Sequence, residues 1–406
     1  MVAHLTRLLG PAHLDLAEET VQEAMLRALE SWPYQGAPDN PAAWLFRVAH
    51  NIAIDGVRRC RVHHEKTEAV IAALSQSAAA APGDPDLEDQ LRDDELRMIF
   101  MCCHPRISPD ARVALSLKTV GGFGVREIAR AFLADDATIA QRLVRAKRQI
   151  RDAPLTLDIP HGAELTERLD SVLEVIYFLY NEGYSAHAGK NLVREDLCEE
   201  ALRLGLLVAS SSIAQPRVHA LVALMALEGA RLPARVNDAG DLVLLEDQDH
   251  SRWDERLIAL GFHHFDRSIA GDQVSAYHMQ AAIAATHARA ADAQSVDWKM
   301  ILQMYDQLLA MFPSPVVALN RAVAVAKVRG PAAALTAIEA IEGDPKLRDY
   351  HLLLAAQGHL LMQLDRFREA ADSFEAALRR PCSEPERRFL KARLETCLQG
   401  GPHPHP

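Results

Sequence analysis

Aromatic side chains are scarce in this sequence, 5% of its 406 residues. A chain short of ring-bearing residues and rich in alanine favours helices over sheets. No apolar run approaches the roughly 18 residues that span a bilayer. The N-terminus has no basic stretch leading into an apolar run and a small-residue cleavage site. No membrane is therefore expected as a partner, and the cytoplasm is the expected compartment. Cysteine is sparse too: Cys60, Cys102, Cys103, Cys198, Cys382 and Cys397 are too scattered for a disulfide framework. Cys102-Cys103-His104 is the one local cluster, but adjacent thiols rarely reach one ion and no second pair stands at zinc spacing. Small apolar positions on a helix explain it, and neither metal nor cofactor is expected. Phosphate-binding loops, dinucleotide fingerprints and H-E-x-x-H are all missing. His263, His264, His278 and His287 raise a metal or hydrolase reading, yet no carboxylate sits at ligand spacing, so hydrogen-bonded helix histidines are expected. No catalytic set remains, and the chain is read as a non-enzyme.

The length implies two or three domains, and 49% hydrophobic with 24% charged residues marks a folded chain. The net charge of −11 hides a division. Residues 1–62 are nearly neutral, at −1, and 63–96 carry −7. Residues 97–151 hold 11 basic against 4 acidic side chains, a net +7, and the remainder is −10. Attraction to phosphate acts within a Debye length of about 8–10 Å, so one basic island outweighs the total. That segment is suited to a polyanion.

Along 13–29, Asp15 offers an N-cap with Glu18 three residues on. Ala17, Val21, Ala24, Met25, Ala28 and Leu29 recur at the spacing of one buried helical face. Prolines and a glycine between Ser31 and Pro41 break that helix. Asn40-Pro41 then restarts one that carries Trp44, Leu45, Val48, Ile52 and Val57 and ends in Arg58, Arg59 and Arg61. Residues 63–96, Ala/Ser/Pro/Gly-rich and then acidic, read as a flexible linker. Ser108-Pro109 opens the next unit, and Val125–Phe132, a tight turn and Ala137–Ile150 fit a helix-turn-helix with Ala129, Ile139, Leu143 and Val144 inward. Its second helix displays Thr138, Gln141, Arg142, Arg145, Lys147 and Arg148. A solvated charged helix is the alternative, but the local +7 and the turn favour DNA. Residues 160–400 read as all helical. Glu164–Tyr180 is a periodic helix with Gly183 as its C-cap. Leu361, Phe367, Ala370, Phe374 and Pro381 match a tetratricopeptide helix pair, and Trp298–Ala310 with Pro315–Lys327 a weaker one.

These segments together resemble a known family. Asp15-Leu-Ala-Glu-Glu-Thr-Val-Gln-Glu-Ala-Met-Leu-Arg-Ala-Leu29 is similar to region 2.2 of extracytoplasmic-function (ECF) RNA polymerase sigma factors. Asn40-Pro-Ala-Ala-Trp-Leu-Phe-Arg-Val-Ala-His-Asn-Ile-Ala-Ile-Asp55 resembles regions 2.3 and 2.4. Gly124-Val-Arg-Glu-Ile-Ala-Arg-Ala-Phe with the 137–150 helix resembles region 4, and Tyr180-Asn-Glu-Gly-Tyr-Ser-Ala186 the subgroup with a long C-terminal helical extension. Against the family pattern the first helix of region 2 is expected to be short or missing. The resemblance implies an all-α protein: region 2 over 1–62, the linker, region 4 over 97–151, and a tetratricopeptide-like extension over 160–400.

By resemblance, Glu19, Gln22, Glu23 and Arg27 dock on core RNA polymerase, at the coiled coil of its largest subunit. The loop Tyr34–Asn40, with Trp32 and Asn51 near its ends, would capture an unstacked base of the −10 promoter element, where a ring and an amide suit a flipped base. Trp44 serves there or in the core, its bulk suiting both. Arg58, Arg59 and Arg61 would meet phosphates or duplex edges, and the 137–150 helix would read the −35 element. The expected partners are core polymerase, promoter DNA and a protein that meets the C-terminal domain. A helix-turn-helix regulator with a helical ligand sensor is the rival, and a metal-dependent enzyme fused to a DNA-binding unit a second one.

Overall fold

The computed structural model describes residues 1–59, 64–78, 85–132, 134–153, 155–185, 192–271 and 273–400. Among these the regular elements are all helices, with one isolated antiparallel bridge, Val236 to Leu242, and no strand. It divides into two compact units, residues 1–178 and 179–406.

The first unit opens with α1 (Val2–Leu9), a 3-10 turn at Pro11–His13, α2 (Leu14–Gln35), α3 (Pro41–Arg59) and α4 (His64–Ala78). Leu5, Leu9, Ala17, Val21, Ala24, Ala49, Ala53 and Leu74 form their common core. α2 starts at Leu14 with His13 as its cap residue, so Asp15 lies inside the first turn and makes no capping box. Its carboxylate there still complements the helix dipole. The helix also runs four residues past Ser31, through Pro33, and stops at Gly36 (φ 79), whose N–H bonds Trp32 O at 2.9 Å. A proline this near the C-terminal end removes a single intrahelical bond, which explains why the helix survives it. Asn40 caps α3 as expected, with Oδ1 accepting from Ala43 N at 2.9 Å.

Residues 63–96, read from composition as a flexible linker, are mostly helical in their described part. Leu74 of α4 is fully buried in the first core. α5 (Pro85–Cys102) places Asp94, 2% exposed, between His4 Nδ1 at 2.7 Å and Arg7 Nε at 2.6 Å, and Ser77 Oγ meets His4 Nε2 at 2.7 Å. One acidic residue of the supposed linker thus clamps α5 to α1. Low local hydrophobicity misleads here because a buried, doubly paired carboxylate does the work an apolar residue would do elsewhere.

α6 (Pro109–Thr119), α7 (Val125–Ala131) and α8 (Asp136–Asp152) follow, with Ile128, Ala129, Ile139, Leu143, Ala146 and Ile150 buried. Val144, expected inward, is 65% exposed. The thiols of Cys102 and Cys103 are buried against Thr119 Oγ1 at 3.2 Å and Ser116 Oγ at 3.8 Å. α9 (Gly162–Tyr184) begins in this unit: Arg168 donates to Phe100 O at 2.8 Å, and Phe178 stacks on Phe132 at 5.8 Å.

The second unit continues with α10 (Glu195–Ser210), α11 (Pro216–Gly229), α12 (Glu255–Ser268), α13 (Ala276–Arg289), α14 (Trp298–Met311), α15 (Pro315–Arg329), α16 (Pro331–Glu339), α17 (His351–Gln363), α18 (Phe367–Leu378) and α19 (Glu384–Leu398). Gly183 lies inside α9 and does not cap it: a Cβ there would stand 2.8 Å from both N and Sγ of Cys198. It allows α9 and α10 to approach. Leu361, Ala370 and Phe374 share one core with Phe367 packed beside them, and Gly358 leaves room for the Phe374 ring. The histidines act as polar connectors: His219 and His264 meet Nδ1 to Nδ1 at 3.0 Å, and His278 closes a capping box with Ser275.

Candidate promoter and polymerase interface

Three faces of the first unit hold the expected site residues. On α2, Glu19 and Gln22 are exposed and Glu23 is half-buried, its Oε1 accepting from Arg27 Nε at 3.0 Å. Between them stand side chains the periodicity put in the core: Met25 is 49% and Leu29 71% exposed, with Leu26 beside them. Successive helix positions differ by about 100°, which sets Met25 and Leu29 on the Gln22 side, about a third of a turn round from Ala17, Ala24 and Ala28. Met25, Leu26 and Leu29 thus lie exposed among the charged side chains of α2.

On α3, positions 44, 47, 51, 55 and 58 fall at intervals of three and four and form one stripe. Trp44 is half-buried and meets Trp32 of α2 edge-on, ring centroids 5.5 Å apart at 65°. Trp32 Nε1 is buried without a hydrogen-bond partner. Asn51 and Arg58 are exposed on the same stripe, Arg58 lying 3.8 Å from Asp55. Arg59 closes α3, and Arg61 lies outside the described residues. A ring pair, an exposed amide and a cation therefore run along one edge, beside the loop that begins at Gly36 and not, as expected, at Tyr34.

The six polar side chains of α8 do not act as one set. Thr138, Gln141, Arg145 and Arg148 form an exposed stripe, with Arg148 Nε 3.2 Å from Asp152. Arg142 turns toward Asp110 at 3.7 Å. Lys147, expected on the DNA face, instead donates to Asp15 Oδ1 at 2.8 Å and Glu18 Oε2 at 2.9 Å. Burial would lower its pKa, but the bonds from Asp15 and Glu18 outweigh that and raise it, so the ammonium stays charged. These bonds join α8 to the start of α2. Asp15 and Glu18, read from the sequence as a cap, are thus partners of α8.

No helix among the described residues is long and apolar enough to cross a membrane, and no group of three or more His, Cys, Asp or Glu stands ready for a metal.

Comparison with known proteins finds three family models along the chain. Residues 1–62 match the family model for sigma-70 region 2, residues 97–150 that for sigma-70 region 4, and residues 168–269 a family of unknown function (DUF6596). The uncharacterized protein R00370 of Rhizobium meliloti (strain 1021) is 39% identical over 94% of this chain and 90% of its own length. The probable ECF RNA polymerase sigma factor SigI of Mycobacterium tuberculosis is 27% identical over 40% of this chain and 59% of its own. The ECF RNA polymerase sigma factor SigL of the same species is 29% identical over 33% and 72%. Regions 2 and 4, in order, with ECF sigma factors among the relatives, make the assignment: the chain belongs to the ECF group of the sigma-70 family, and it is a sigma factor that recognises promoters.

Proposed function

We propose that promoter opening is carried by the Trp32, Trp44 and Asn51 edge. A base leaving the duplex would stack on the exposed ring surface of the tryptophan pair while Asn51 reads its edge, and Arg58 would hold the adjacent backbone. The observation that carries this reading is the Trp32–Trp44 contact beside an exposed Asn51 on one stripe. In the same reading, Thr138, Gln141, Arg145 and Arg148 enter the major groove at the −35 element, and the α2 face with Glu19, Gln22, Glu23, Arg27, Met25 and Leu29 docks on core polymerase. Arg142 and Lys147 would reach DNA only after leaving Asp110, Asp15 and Glu18.

Permanganate footprinting on polymerase loaded with Trp32→Ala or Asn51→Ala tests the pocket. Melting should slow while closed-complex affinity stays near wild type. Undiminished melting in both variants removes the assignment.

The C-terminal helices support a second, separate role. Their charge of −10 opposes contact with DNA, and stacked helix pairs such as α17 and α18 offer surfaces to protein. They would act through a protein contact, within the chain or with polymerase. Reporter transcription by a chain cut after residue 178, which leaves the Phe132–Phe178 stack intact, should differ from the full chain. Equal activity from a folded truncation would remove that role.

A further inference from the structure

The second unit contains a cavity of about 800 Å3, a size ordinary for a small-molecule site and unneeded for reading DNA. It is bounded by the Leu242–Trp253 segment and by α14, α15, α17 and α19. Its two ends differ in chemistry.

One end is aromatic. His250 stacks on Trp253 at 4.2 Å, and His287 meets Trp298 edge-on at 5.2 Å. Trp253 is 6% exposed, yet its indole N–H has no acceptor. A buried donor left unmade is costly, which makes this position unusual in a packed core. The other end is charged. Lys327, Glu246, Asp247 and Arg393 all stand close enough to His359 to influence its titration. Lys327 is bonded to Glu246, and Glu386 accepts from Ser383 N at 2.8 Å and Oγ at 2.7 Å. Arg393 lies with its guanidinium 5.0 Å over the Phe389 ring and has no carboxylate partner among the described residues. An uncommitted cation thus shares an apolar space with an uncommitted donor.

We propose that this cavity binds a small organic anion, its ring system or apolar body against Trp253 and Trp298 and its acidic group at Arg393. A cationic ligand would meet Arg393 and Lys327 together, and a neutral one would leave Arg393 unpaired. A polyanion would be repelled by Glu246, Asp247 and Glu386, so a single negative charge fits best.

Anilinonaphthalene sulfonate, an aromatic monoanion, is a direct probe, and phenylnaphthylamine supplies the same rings without the sulfonate. The full chain should take up one sulfonate probe saturably, with energy transfer from tryptophan that falls in Trp298→Phe. Arg393→Gln should weaken the sulfonate about tenfold, the effect of one charge-assisted bond, and leave the neutral probe unchanged. Leu352→Trp, which fills the space, should abolish both. Should that variant misfold by circular dichroism, the Arg393→Gln comparison decides alone. Absence of saturable binding, equal affinity for both probes, or indifference to Arg393→Gln overturns the proposal.

Discussion

Replacing Lys147 with methionine keeps the length of the side chain and removes its charge. Its Nζ lies 2.8 Å and 2.9 Å from two carboxylates, and the Lys147 and Glu18 side chains are only 17% and 9% exposed. At an effective dielectric of about 20, charges about 3 Å apart attract by about 6 kcal/mol before solvation is counted. Withdrawing both from water removes most of that. Glu18 Oε1 already has no partner, so the carboxylate depends on Lys147 for compensation. The expected loss is about 2 kcal/mol, above the 0.2–1 of an exposed pair and below the 3–5 of a fully buried one. Urea unfolding, followed by fluorescence in a Trp253→Phe, Trp298→Phe background, reports the first unit alone. Glu18→Gln combined with Lys147→Met should recover about 1 kcal/mol of the summed single losses. Because the folded pKa of Lys147 is raised, this stabilisation is complete at neutral pH and disappears only as pH climbs through that value, above the ordinary lysine range near 10.4. A loss under about 0.5 kcal/mol, or a cycle without coupling, would refute the bridge as a structural contact between α8 and α2.

Gly183→Ala should destabilise the second unit by about 1–3 kcal/mol, as overpacking does, whereas an uncrowded helix position would gain from alanine; a melting temperature at or above wild type would contradict the close approach. Arg145→Ala should cost about 1–3 kcal/mol of promoter affinity and relax one −35 position, while Arg58→Ala should weaken all sequences alike and flatten the salt dependence; affinities for single-base variants at two salt concentrations separate them, and indifference to Arg145 would remove α8 as the reading helix. Burial, with His219 beside it, lowers His264 to about 4, so the unfolded chain holds the extra proton between about 6.5 and 4 and stability should fall as pH drops through that window. His264→Phe should flatten the decline in urea midpoint, and an unchanged slope would contradict the burial.

Patterns that repeat along one helix were legible in the sequence. Asn40 as a cap, the two helices around Ala129 and Ile139, and the pairing of Ala370 with Phe374 all follow from local spacing. What failed depended on the partner of a residue. Asp94 reads as one acid among many until His4 and Arg7, some ninety residues away, enclose it. Lys147 belongs by spacing to a basic helix, and only the fold brings Asp15 and Glu18 to it. Gly183 looked like a stop because glycine often is one, while the reason for its small size sits on α10. Met25 and Leu29 share the helical spacing of the buried positions, yet they fall at the edge of that arc and stand exposed because no other described helix of the fold covers them.

The buried cysteines have a kinetic consequence. Burial pushes the Cys103 and Cys198 thiols up to about 12 and raises Cys102 as well, so almost no thiolate exists near neutrality. Alkylation of these sulfurs must wait for the surrounding helices to open, and its rate then measures how often they do. Cys102 and Cys103 time that opening in the half that meets the promoter, and Cys198 times it in the other. Mass spectrometry of partially alkylated chains would therefore reveal, without any engineered label, whether the two halves breathe together or apart.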